Sequence, residues 1–232
     1  MNGEPYWFSR ITPRPDLGYR KIVTLGDLDP YGQHQALWKL FDMASEERTV
    51  RTEFLFRTEQ QKGLPVFFVL SRRQPQDHVG LWRIESKPYR PDIRPGDSLA
   101  FKLRANPTVA RPGESGGKSR RHDVVMDTKK RMDWKGLAEN ERPTLAHLAY
   151  EAGGCWLRNR EERLGCNFQN NALRVDGYRT WRTRRRKNVE LSTLDFEGIL
   201  AVNDQQRFLD AILLGIGPAK AFGCGLMLVR RI

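Results

Sequence analysis

Three prolines and a glycine fall within ten residues: Lys87-Pro88-Tyr89-Arg90-Pro91-Asp92-Ile93-Arg94-Pro95-Gly96. Proline fixes φ and has no backbone N–H, so such a run resists helix and central strand alike. It reads as a linker, residues 91–97, between a domain over 1–90 and a second over 98–232. Domains usually run to ~100–150 residues, so a chain of 232 accommodates two.

In the first part, residues 6–11 predict a strand, followed by a polar, Pro- and Gly-containing link to Asp29. Asp29-Pro30 is a helix start, with Asp as N-cap and Pro at the first helical position. The helix is expected over 30–47, where Leu37, Leu40, Phe41 and Ala44 make an apolar stripe. Two strands follow at 53–59 and 64–71, joined by Gln60-Gln61-Lys62-Gly63; residues 72–85 read as a short helix or strand at best. In the second part Leu99, Phe101 and Leu103 alternate with Lys102 and Arg104, a half-buried strand. Residues 111–121 form a Gly-rich basic loop, and a helix is expected over 144–164, irregular at Gly153-Gly154. Strands at 172–175, 189–194 and 196–203, a helix at 204–214 ending at Gly215, and a strand at 225–232 complete the chain. Each part runs strand–helix–strand–strand–(helix)–strand. The fold class is therefore α+β, two tandem ferredoxin-like (βαββαβ, RRM-like) domains, with the second helix of the first domain the weakest element.

Composition bears on partners. The formal charge is +12 and the sequence pI about 10, which points to a polyanion, nucleic acid before anionic membrane. No apolar stretch approaches the ~18 residues of a spanning helix, and residues 1–20 lack the pattern of a signal peptide. The basic residues cluster in loops rather than on an amphipathic helix, which argues against a membrane-surface protein. Cys155, Cys166 and Cys224 make no CxxC pair and are expected as small buried hydrophobes in a reducing cytoplasm. His34, His78, His122 and His147 show neither HxxxH nor HExxH, so no protein-held zinc is expected.

The charge is concentrated. Arg179-Thr180-Trp181-Arg182-Thr183-Arg184-Arg185-Arg186-Lys187 lies between two strand candidates, which suggests a protruding hairpin suited to an RNA stem. Lys118, Arg120 and Arg121 form a second cluster. Lys220 lies in a loop holding Gly215, Gly217, Gly223 and Gly225, with no acidic residue from Gly215 onward. Glycines there permit positive φ and close approach of N–H groups to an anion; a helix cap with a tight turn would need the same residues. Trp181 is expected either to meet a base or to anchor the hairpin. By helical angle His34 falls among Leu37, Trp38 and Phe41, so periodicity alone reads it as a core histidine.

The string Gly215-Ile216-Gly217-Pro218-Ala219-Lys220-Ala221-Phe222-Gly223-Cys224-Gly225 resembles the C-terminal glycine-rich loop of the RAMP superfamily of CRISPR proteins. The resemblance is to the CasE family, the crRNA-processing endoribonucleases of type I-E Cascade. Residues 31–41, with Tyr31 and His34 three apart, are similar to that family's first helix; 101–107 and 196–200 are similar to strands of its second domain. Matches are weak over 72–89 and 123–134, and the link at 17–28 is also less clear.

The resemblance implies two tandem ferredoxin-like domains and metal-independent cleavage of CRISPR repeat RNA at the base of its hairpin, or RNA binding without cleavage on the same fold. The ribose 2′-OH attacks the adjacent phosphate, leaving a 2′,3′-cyclic phosphate and a 5′-hydroxyl. It implies His34 as general acid or base, with the acid role favoured, Tyr31 as the residue positioning the 2′-OH or phosphate, and Lys220 as a charge stabiliser. It further implies no cofactor and no metal, the crRNA hairpin and other Cascade subunits as partners, no membrane, a monomer outside the complex, and a cytoplasmic location.

Overall fold

In the computed structural model, residues 6–26, 28–41, 53–113, 117–183 and 189–232 are described. They group into two compact units. One comprises Met1–Asp92, Leu213–Gly215 and Lys220–Leu226; the other comprises Ile93–Ile212, Ile216–Ala219 and Met227–Ile232. The glycine-rich segment thus contributes to both.

The first unit runs β1 (Tyr6–Pro13), α1 (Tyr19–Gly26), α2 (Pro30–Trp38), β2 (Phe54–Gln61), β3 (Leu64–Ser71) and β4 (Trp82–Tyr89). Its antiparallel sheet has the order β2-β3-β1-β4, the ferredoxin-like arrangement. β2 and β3 turn through Lys62 (φ 51°) and Gly63 (φ 77°), both left-handed as a two-residue hairpin turn requires. Ile11, Leu37, Leu40, Phe41, Phe54, Phe56, Phe67 and Trp82 are buried together between sheet and helices.

The first unit differs from the sequence expectations at several points. The polar link before Asp29 contains helix α1, whose Leu25 joins the core. Helix α2 ends at Trp38 rather than extending to 47: Leu40 and Phe41 donate to the carbonyls three residues back, tightening the last turn. Their side chains still reach the core, so the apolar stripe outlives the helix; Ala44 lies outside the described residues. No helix separates β3 from β4 among the described residues, so the strand order of the βαββαβ unit is kept without its second helix. β4 takes in Lys87, Pro88 and Tyr89, although proline argues against a strand. β4 is the sheet edge and pairs only with β1, so Pro88 withholds no needed donor.

The second unit runs β5 (Ser98–Ala105), β6 (Thr108–Arg111), β7 (Arg120–Asp123), α3 (Val124–Arg131), α4 (Leu145–Arg158), α5 (Glu161–Leu164), β8 (Cys166–Phe168), β9 (Arg174–Thr183), β10 (Val189–Val202), α6 (Gln205–Leu214) and β11 (Met227–Arg231). The sheet order β11-β5-β10-β8 repeats the ferredoxin-like pattern, with β9 added as a hairpin partner of β10. Arg104 clamps Asp195 across the β5–β10 pair through two hydrogen bonds of 3.0 and 2.9 Å, which pins their register.

The second unit also departs from expectation. The Gly-rich basic loop is flanked by a two-stranded ribbon, β6 with β7. Helix α3, capped by Asp123 accepting from the Met126 N–H at 2.8 Å, has no counterpart in the sequence reading. The helical break falls at Asn159–Arg160, not at Gly153-Gly154. Gly153 lies inside α4 because a Cβ there would come within 2.7 Å of Leu194 and 2.8 Å of Val175, so the glycine seats the helix on the sheet. The strands expected at 189–194 and 196–203 are one strand, β10, with an irregularity between Thr193 and Asp195. Cys166 and Cys224 are buried, whereas Cys155 is exposed on the solvent side of α4. Among the described residues no helix is long and apolar enough to cross a membrane.

Candidate functional site

Helix α2 places Tyr31 and His34 one turn apart in the first unit. Asp29 Oδ1 accepts the Gly32 N–H at 2.6 Å and Pro30 occupies the first helical position, so the two residues sit in a firmly started first turn.

His34 is half-buried. Its ring lies 5.3 Å from Phe54 and 6.1 Å from Phe56, and its Nε2 accepts the indole N–H of Trp38 at 3.1 Å. An accepting Nε2 puts the proton of the neutral ring on Nδ1. Burial among these rings disfavours the charged form and lowers the imidazole pKa from 6.5 to about 4. His34 is therefore neutral at pH 7. The core reading and the site reading describe one residue: a histidine on the aromatic core, still partly open.

The glycine-rich segment reaches the same helix within this unit. A 3₁₀ turn, Lys220–Phe222, packs on α2 and β2, and the Phe222 ring lies 6.3 Å from that of Tyr31. Two glycines allow this approach. A Cβ on Gly215 (φ 78°) would come within 2.8 Å of Leu55, and one on Gly223 (φ 76°) within 3.2 Å of the Phe56 ring. Gly217 (φ 80°) and Gly225 (φ 92°) share the left-handed conformation. The first unit thus brings together the helix of Tyr31 and His34 and the turn that begins with Lys220.

The basic residues lie in the second unit. Lys118, Arg120 and Arg121 are exposed on and beside the β6–β7 ribbon. Arg179, Trp181 and Arg182 are exposed on β9, which pairs with β10 up to Thr183 and Val189. Arg184, Arg185, Arg186 and Lys187, the tip of the expected hairpin, lie outside the described residues. Alternation along β9 puts Arg179 and Trp181 on one face and Tyr178, Thr180 and Arg182 on the other. Arg182 is held by Glu190 at 3.2 Å. Trp181 donates to Thr193 Oγ1 at 3.4 Å while the residue remains 36% exposed, so it ties the two strands and is still open to solvent.

Sequence reasoning missed further basic residues, Lys129, Lys130 and Arg131 on α3. It also missed a polar cluster in which Asp123 accepts from Tyr178 and Ser192. The one signal available was Asp123 before Val124-Val125, an N-cap followed by apolar residues.

Residues 6–231 match the family model described as CRISPR associated protein. The CRISPR system Cascade subunit CasE of Escherichia coli strain K12 is 30% identical over 207 residues, 86% of this chain and 90% of that protein. The CRISPR-associated endoribonuclease Cse3 of Thermus thermophilus is 30% identical over 211 residues, 87% of this chain and 90% of that protein. A structure of Thermus thermophilus Cse3 bound to an RNA representing a pre-cleavage complex superposes with a TM-score of 0.68 at 25% identity, covering 97% of this chain and 99% of that one.

Proposed function

We propose that this chain, which belongs to the family of CRISPR-associated proteins that includes CasE and Cse3, is an endoribonuclease that cuts CRISPR repeat RNA at the base of its hairpin and stays with the product as a Cascade subunit. The observation that carries the reading is the likeness to the Cse3 endoribonuclease, 30% identical over 87% of this chain. It is supported by the packing of the Lys220–Phe222 turn on the helix of Tyr31 and His34.

The reaction is attack of a ribose 2′-OH on the adjacent phosphate, giving a 2′,3′-cyclic phosphate and a free 5′-hydroxyl. It needs a proton acceptor at the 2′-OH, a donor at the 5′ oxygen and cations facing the phosphorane. A neutral imidazole suits the first task, and His34 takes the 2′-OH proton on Nε2, which requires the Trp38 indole N–H to yield that nitrogen to the RNA. The acid role favoured by the resemblance requires a charged ring, which burial opposes until an RNA phosphate offsets it. The imidazolium formed by proton transfer sits beside the developing negative charge; the leaving 5′ oxygen takes its proton from solvent, to which the imidazolium returns the one it gained. Tyr31 orients the 2′-OH or phosphate through its phenol, and Lys220 faces the phosphorane charge. None of these steps uses a metal. The exposed arginines of β9 and of the β6–β7 ribbon, with Arg184, Arg185, Arg186 and Lys187, hold the RNA by its phosphates. The reaction takes place in the cytoplasm, on a chain that is monomeric outside the complex.

Incubating the protein with a repeat hairpin in EDTA tests this. Cleavage to a 5′ fragment ending in a 2′,3′-cyclic phosphate is expected. Tight binding with intact RNA would identify a scaffold instead.

A further inference from the structure

Trp38 is the last residue of α2, four positions after His34. Its ring packs edge-on against Phe54 at 5.3 Å and Phe41 at 6.5 Å, so the aromatic core fixes where the indole lies. Any large apolar ring would meet that packing need. The indole N–H does something more. It meets the His34 ring with 5.9 Å between centroids and 84° between planes, and donates to Nε2 at 3.1 Å. Other tryptophans of the chain donate elsewhere: Trp134 and Trp156 to the backbone carbonyls of Pro143 and Thr108, and Trp181 to the Thr193 hydroxyl. Trp38 places its donor on a group that can act as a base.

A neutral imidazole has one nitrogen with a free lone pair, and that atom is both its hydrogen-bond acceptor and its base. In His34 the atom is Nε2, and the indole covers it. The opposite nitrogen carries the proton and has no lone pair to offer. The RNA-free chain therefore holds His34 in a single tautomer with its basic atom occupied. Trp38 and His34 are both only half-buried, so a donor from outside can compete for Nε2. A ribose hydroxyl is such a donor. Exchange of one N–H···N bond for one O–H···N bond conserves the number of hydrogen bonds, so the cost of uncovering the nitrogen is offset by the contact that replaces it.

We propose that Trp38 is a positioning residue that masks His34: its indole N–H fixes the Nδ1–H tautomer and covers Nε2 until a substrate hydroxyl takes its place. That the covered atom is the catalytic base rests on the function proposed above; the mask itself belongs to the RNA-free chain and is tested there. In the full chain labelled with ¹⁵N-histidine, long-range ¹H–¹⁵N correlation reads the tautomer of each of the four histidines. His34 should be protonated on Nδ1 in the wild type. Trp38→Phe keeps a ring in place but removes the donor, and should yield a mixture that includes the Nε2–H form. Acylation by diethyl pyrocarbonate, followed peptide by peptide, gives a second readout, because the reagent attacks the free lone pair. His78, His122 and His147 are exposed and serve as references. Relative to them, acylation of His34 should be about two- to tenfold faster in Trp38→Phe, the equivalent of one net hydrogen bond. Single-turnover cleavage by the variant should run at the wild-type rate or up to about tenfold faster, since no mask has to be displaced. A wild-type His34 protonated on Nε2 would overturn the mask without any variant being needed. An unchanged tautomer and acylation rate in Trp38→Phe would overturn it too, as would slower cleavage at an unchanged thermal midpoint. Absence of cleavage by the wild type, with tautomer and acylation as expected, would sink the nuclease reading and leave the mask standing, so the two failures are told apart.

Discussion

Trp38 donates its indole N–H to His34 Nε2 at 3.1 Å, from one helical turn further along α2. This bond stabilises the neutral imidazole, because the charged ring would place a proton where the indole already points one. A net hydrogen bond is worth ~0.5–1.5 kcal/mol, so Trp38→Phe should raise the His34 pKa by about half a unit to one unit. NMR titration of the imidazole C–H protons measures it.

The same shift makes stability depend on pH. The His34 pKa is lowered from 6.5 to about 4, so the folded state resists a proton that the unfolded state accepts. The stability this contributes is intact above pH 6.5 and is lost as pH falls toward about 4. His34→Gln should flatten the urea-unfolding free energy over that window. An unchanged slope would mean that His34 is not shielded from solvent.

The pH dependence of kcat/KM separates the two proton roles. With His34 as base, the rate rises as pH increases through about 4 and then levels off, because the free enzyme acts in its neutral form. An acid with the same pKa would give a rate that falls tenfold per unit above it.

Gly223 and Gly215 set the turn that begins with Lys220. Alanine at either must adopt a left-handed φ, and its Cβ would press on Phe56 or Leu55 respectively. Each substitution should cost ~1–2 kcal/mol in unfolding experiments. Cleavage should fall more than stability explains, since the turn packs on the helix of Tyr31 and His34.

Replacing Arg184, Arg185 and Arg186 together with alanine should weaken RNA binding. The slope of log K against log salt should become shallower by ~0.7–0.9 for each phosphate that is no longer neutralised. The cleavage rate at saturating protein should change less. Unchanged affinity would remove the hairpin tip from the RNA-binding surface.

Much of the fold was legible because it was written in local rules. Asp29-Pro30 marked the start of α2, Lys62-Gly63 the first hairpin turn, and the alternation at Leu99, Phe101 and Leu103 the strand β5. The errors arose where tertiary context overrode those rules. Pro88 entered a strand because β4 lies at a sheet edge. Gly153 sits in α4 because Leu194 and Val175 leave room for no side chain. One irregularity between Thr193 and Asp195 made a single strand look like two. The site was legible only through resemblance. Periodicity places His34 in the core, and the rings of Phe54 and Phe56 do surround it.

The most direct test of the account is single-turnover cleavage of a repeat hairpin by His34→Ala, in EDTA, at saturating protein. Removing a general base should slow the reaction by ~10²-fold or more, with RNA affinity and the thermal midpoint close to wild type. Cleavage by the variant at the wild-type rate would contradict it.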